Sequence, residues 1–125
     1  MKKLLFSAML LLGSMTSMAQ EGADIKFDTQ THNFGVVPSD SAKVHCTFTF
    51  TNVGDEPLVI NQAYASCGCT VPEFTKEPIL PGQSGVIKVS YDRRRADKGH
   101  FRKNITVRTN AKVESHRLTI EGDNE

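Results

Sequence analysis

The chain has 125 residues, with 15 Lys and Arg against 14 Asp and Glu, three cysteines and no tryptophan. A charge so close to balance argues against a nucleic-acid or anionic-membrane surface as the main partner. A domain of about this length buries roughly 60–65% of the surface its unfolded chain exposes, so its core does not depend on disulfides.

Lys2 and Lys3 precede the apolar run Leu4 to Leu12 and the small-residue site Ser17-Met18-Ala19, the three parts of an export signal. Cleavage is expected after Ala19, which makes residues 1–19 a signal peptide and residues 20–125 a single mature domain beginning at Gln20. The apolar run is shorter than the roughly 20 residues a spanning helix needs, and no second transmembrane candidate follows. No cysteine stands just after the cleavage site, which argues against a bacterial lipoprotein. The expected address is therefore periplasmic or extracellular, in soluble form. Loss of Lys2 and Lys3 with the signal takes the formal charge from +1 to −1.

Beyond the signal, period-2 alternation dominates. Short apolar pieces near Phe27 and Phe34 come first. In Val44-His45-Cys46-Thr47-Phe48-Thr49-Phe50 the Val, Cys and Phe residues share one face, and the His and Thr residues the other, the pattern of a half-buried strand. Similar segments are Leu58-Val59-Ile60, Val86 to Tyr91, Asn104 to Arg108 and Arg117 to Ile120. Turn signals separate them at Asn52-Val53-Gly54-Asp55, Pro81-Gly82, Asp97-Lys98-Gly99 and Thr109-Asn110-Ala111. No stretch sustains a 3.6-residue period. The spacing predicts an all-β, antiparallel immunoglobulin-like sandwich of about seven strands. The stretch Ala65 to Gly85, with Pro72, Pro78 and Pro81, reads as an ordered loop, since proline restrains a chain without ladder hydrogen bonds.

Several elements then carry a resemblance: Phe34-Gly35, Phe48-x-Phe50-x-Asn52-x-Gly54, Leu58-x-Ile60, Ser66-Cys67-Gly68-Cys69-Thr70, Pro81-Gly82-x-x-Gly85-x-Ile87-x-Val89-x-Tyr91-Asp92, and Gly99-x-Phe101-x-Lys103-x-Ile105-x-Val107-x-Thr109-Asn110. In this order, over roughly Phe27 to Gly122, the sequence resembles the exported bacterial family known as domain of unknown function 1573. The Cys-Gly-Cys-Thr element is the specific part; Phe-x-Phe-x-Asn-x-Gly also suits the wider group of major sperm protein and Hydin-type domains. The resemblance implies a PapD-like or immunoglobulin-like sandwich and export in bacteria, and it implies no activity. Cys46 lies outside the family's signature.

Three readings of the sulfurs stand open. A bond between Cys67 and Cys69 would close a small ring against the usual disulfide geometry, and strained, exposed disulfides tend to be the labile ones. That allows thiol-redox chemistry, although the usual Cys-x-x-Cys at a helix start is absent. Two thiolates one residue apart, with Cys46 or a histidine as third donor, could instead share copper or zinc, copper being the better match to so few sulfurs. The structural reading bridges Cys46 to one of the pair, a loop of about 20 residues worth roughly 3 kcal/mol, or leaves Cys46 as a buried free thiol.

Weaker signals complete the sequence. His32, His45, His100 and His116 are scattered, with His45 the one to compare with the sulfurs. Arg93-Arg94-Arg95, continued by Lys98, Arg102 and Lys103, could grip an anionic glycan or protein, but Asp92 and Asp97 interrupt it and it reads rather as a solvated loop face. Asp40-Ser41-Ala42 resembles a bacterial O-glycosylation acceptor at Ser41, and Asn104-Ile105-Thr106 fits the N-glycan sequon, the first in a turn and the second within a strand. No Gly-x-Ser-x-Gly, His-Glu-x-x-His, phosphate loop or dinucleotide fingerprint is present. The sequence thus predicts a non-enzymatic exported module, without catalytic residues or cofactor. It would bind an envelope protein, peptide or glycan through exposed loops or a sheet edge. The alternative is a copper, zinc or thiol-redox protein built on Cys46, Cys67 and Cys69.

Overall fold

Among the described residues alternation resolves into eight strands and two facing sheets. The computed structural model describes residues 22–125; the expected signal peptide and its cleavage site lie outside the described residues. The strands are β1 (Ile25–Phe27), β2 (Thr31–Val37), β3 (Lys43–Asn52), β4 (Ile60–Ala65), β5 (Thr70–Phe74), β6 (Ser84–Asp92), β7 (Gly99–Thr109) and β8 (Ser115–Asn124), with one 3-10 turn at Arg93–Arg95. One sheet runs β1-β3-β6-β5 and the other β2-β8-β7-β4. This is the expected all-β sandwich, with one strand more than the pattern showed. Its ladders are antiparallel except β2–β8, which is parallel.

The inward faces follow the sequence. Cys46, Phe48 and Phe50 of β3, Ile87, Val89 and Tyr91 of β6, Phe101, Ile105 and Val107 of β7, and Leu118 and Ile120 of β8 form the buried core. At one end of this core the rings of Tyr91 and Phe101 stack across the two sheets at 4.1 Å and 9°. They fit because Gly122 lies behind Phe101: a Cβ there would come within 2.8 Å of that ring and of the Gly35 carbonyl.

The proline-rich stretch is not one long loop. Thr70–Phe74 forms an edge strand, with Pro72 opposite Val89 of β6. Cys69 accepts from the Asp92 N–H and Thr75 donates to the Val86 carbonyl. In an antiparallel ladder the direction of bonding alternates, so odd-numbered residues of β5 bond β6 and Thr70, Pro72 and Phe74 point their main-chain groups outward. Pro72 has no N–H, and that of Thr70 is taken by the Cys67 carbonyl. Proline is tolerated in just such an edge position. The other edges are also interrupted: β1 has three residues, β2 breaks register between Asn33 and Val36, and β4 does so between Ile60 and Gln62.

Among the described residues no helix is long and apolar enough to cross a membrane.

Candidate functional site

The chain switches sheets in four residues, Ser66 to Cys69, between β4 and β5. Two hydrogen bonds shape this crossover: the Thr70 N–H donates to the Cys67 carbonyl at 3.1 Å, and the Asp92 N–H to the Cys69 carbonyl at 2.8 Å. Within it Cys67 and Cys69 form a disulfide, their Cα atoms 5.2 Å apart. Cys69 is buried, 2% exposed, and Cys67 is half-buried.

Cys46 is a free, buried thiol, so the bridge from Cys46 to one of the pair does not form. The reason is the strand order. Cys46 lies opposite Val89, which lies opposite Pro72, so β6 stands between. Two strand spacings amount to about 10 Å, beyond the roughly 7 Å over which cysteine Cα atoms can be bridged. Burial pushes the Cys46 thiol from 9.0 up to about 11. Among the described residues no group of three or more His, Cys, Asp or Glu is placed to hold a metal ion. His45 is not beside the sulfurs: it lies on the outer face of its sheet, hydrogen-bonded to Ser90 at 3.1 Å.

The three consecutive arginines have three different roles. Arg93 is buried, contrary to the solvated reading, and donates to the Ala96 carbonyl and a Glu125 main-chain oxygen. Arg94 is exposed and pairs with Asp92 at 3.0 Å, a hydrogen bond that holds the Asp92 carboxyl below its ordinary value. Arg95 reaches back over the crossover: a Cβ built on Gly68 would lie 3.2 Å from its guanidinium nitrogen. Arg95 is thus the residue that joins the two sequence signals, the arginine run and the Cys-Gly-Cys element. Nothing in local spacing brings them together.

Between the crossover, the 3-10 turn and the start of β7 lies a cleft of about 600 Å³. The disulfide forms one wall and the Tyr91–Phe101 stack lies behind it; Arg95, Lys98, Arg102 and Lys103 surround it. Arg102 pairs with Glu121 at 3.1 Å. Arg95, Lys98 and Lys103 have no carboxylate within salt-bridge distance among the described residues. Asn124 lines the same cleft and donates to the Tyr91 hydroxyl at 2.8 Å and the Asp97 carbonyl at 2.7 Å. Its buried Oδ1 has no hydrogen-bond donor among the described residues. The sequence marks Tyr91 only as a strand and family-pattern position, and Asn124 not at all. Tyr91 continues the alternation of Ile87 and Val89, while Asn124 carries no local signal.

Ser41 sits between β2 and β3, half-buried, with its N–H donating to the Pro38 carbonyl; its neighbours Asp40 and Ala42 are exposed. Asn104 lies within β7 and accepts from the Thr119 hydroxyl at 3.1 Å.

No curated protein matches the sequence. Among solved structures the fold is similar to a protein of unknown function from Porphyromonas gingivalis W83, 15% identical with a TM-score of 0.73 over 84% of this chain and 48% of that one. It is similar to the VesB protease of Vibrio cholerae, 22% identical, TM-score 0.62, over 80% of this chain and 32% of that one. The chain therefore spans less than half the length of these two bacterial proteins. The ASH / PapD-like domain 7 of human CEP192 matches end to end, 97% of each chain, at 10% identity and a TM-score of 0.59. At such identities the likeness is one of fold, a PapD-like sandwich. The sequence itself, over residues 25–124, matches the family described as "Protein of unknown function (DUF1573)", and the chain belongs to that family.

Proposed function

We propose that the protein is a non-catalytic binding module that works outside the cytoplasm and holds an anionic group of a partner peptide, protein or glycan in the basic cleft. The observation that carries this reading is the convergence of Arg95, Lys98 and Lys103, with no ion pair to a carboxylate among the described residues, on one cavity that Asp97 also lines, beside a hydrogen-bonded crossover. Unpaired positive charge around a partly enclosed cavity attracts anions more strongly than the same charge on an open face. A partner strand at a sheet edge is the weaker option, because all four edges are short, out of register or short of N–H groups.

Acidic probes of two classes, a glutamate-rich peptide and a uronic-acid oligosaccharide, test this by calorimetric titration. One class should bind saturably, more weakly as salt rises. Replacing Lys103 or Arg95 by Gln should raise Kd about fivefold each, for roughly 1 kcal/mol per lost ion pair. Binding to neither probe, binding indifferent to both substitutions, or turnover of a probe would count against the reading.

A further inference from the structure

We infer that the Cys67–Cys69 disulfide is a thiol–disulfide exchange site that oxidises a cysteine pair of another polypeptide, with Cys67 as the sulfur attacked. The two sulfurs are unequal in access. Both line the cleft, but Cys67 is half-buried whereas Cys69 is 2% exposed. An incoming thiolate therefore reaches Cys67, and access helps decide which sulfur of a disulfide is attacked.

The surroundings receive the charge that exchange releases. The Cys69 N–H donates to Cys67 Sγ at 3.1 Å, and the Thr70 hydroxyl lies 3.5 Å from Cys69 Sγ. The Arg95 guanidinium covers Gly68 between them. Hydrogen-bond donors and a neighbouring cation both favour sulfur in its anionic form. The bond also joins no distant segments: its cysteines are two positions apart, and main-chain hydrogen bonds from Thr70 to Cys67 and from Asp92 to Cys69 shape the crossover beside it.

The partner's first thiolate attacks Cys67 Sγ, the bond to Cys69 breaks, and its electron pair leaves on Cys69 Sγ. The partner's second thiolate then attacks the partner sulfur of this mixed disulfide, and Cys67 leaves as a thiolate. The partner loses two electrons and two protons and gains a disulfide. Cys67 and Cys69 receive them and become two thiols, so each chain oxidises one cysteine pair.

This inference is independent of anion binding, and its test keeps the two apart. The full oxidised chain is mixed at neutral pH with an excess of a reduced peptide carrying two cysteines and no acidic residue, quenched with acid, alkylated and weighed. One peptide disulfide per chain is expected, with both Cys67 and Cys69 becoming alkylatable and with quenched mixed disulfides mapping to Cys67. Among single variants, Cys69→Ala should take up glutathione from its oxidised form about tenfold faster than Cys67→Ala, because only the former keeps the accessible sulfur. A peptide left reduced, or mixed disulfides mapping to Cys69, would overturn the inference. The wild-type reaction decides the matter even if a variant does not fold.

Discussion

Asn52 holds three segments with one side chain. Its amide donates to the Glu56 carbonyl at 2.7 Å and the Ile79 carbonyl at 2.9 Å, and its oxygen accepts from the Gly54 N–H at 2.9 Å and the Asp24 N–H at 3.4 Å. Gly54 completes the arrangement, because a Cβ there would collide with the main chain of Gly22, Ala23 and Asp24. The Asn-x-Gly of the family pattern is therefore a device of folding. Asn52→Ala would empty a fully buried site and remove all four bonds, three of them to part-buried main-chain groups of Asp24, Gly54 and Glu56, and should destabilise the fold by about 3 kcal/mol, read as a lower denaturant midpoint at unchanged slope. Cys46 makes a second prediction. With its thiol pushed from 9.0 up to about 11 by burial, the unfolded chain releases this proton at lower pH than the folded one. Stability from this site is intact below pH 9 and falls as pH rises toward about 11. Cys46→Val should lose less stability over that window than the wild type, compared in parallel melts. Iodoacetamide at mildly alkaline pH should label Cys46 only in denaturant, since the thiolate is the reactive form.

At the level of elements, β5 shows how an edge is kept from pairing. Pro72 points its main-chain position outward and offers no N–H. Pro72→Thr would restore a donor beside that of Phe74, and self-association should increase, visible as a concentration-dependent mass in light scattering. An unchanged monomer would show that the nearby crossover blocks the edge by itself. The same strand marks what was readable from sequence. Apolar residues at every second position disclosed β3, β6, β7 and β8, whose inward faces are buried. In β5 the inward residues are Thr70, Pro72 and Phe74, an alternation that a proline disguises as a loop. The disulfide followed the same logic: cysteine spacing left three pairings open, and strand order, which periodicity does not encode, removed the two involving Cys46. Arg95 was visible as a charge but not as a neighbour of Gly68. That contact depends on where the 3-10 turn meets the crossover, a tertiary relation between residues far apart in the chain.

For the molecule as a whole, chain-entropy reasoning assigns a three-residue loop only about 1.6 kcal/mol, half of what a 20-residue loop would contribute. The Cys67→Ala, Cys69→Ala double variant should therefore fold and melt cooperatively, a modest interval below the wild type; collapse of the fold would make the bond structural. The parallel ladder has a consequence of a different kind. Thr31 of β2 pairs with Thr119 of β8, and β1 closes on the end of β3. The strand that enters early thus waits for nearly the whole chain before its partner exists. Contacts of such sequence separation slow the search for the native state, placing all-β sandwiches in the millisecond-to-second range. A polypeptide leaving a ribosome or a translocation channel would remain without this ladder until its last strand emerged. Refolding from denaturant should be correspondingly slow, and deletion of residues 115–124 should leave the remaining strands unable to complete the transition.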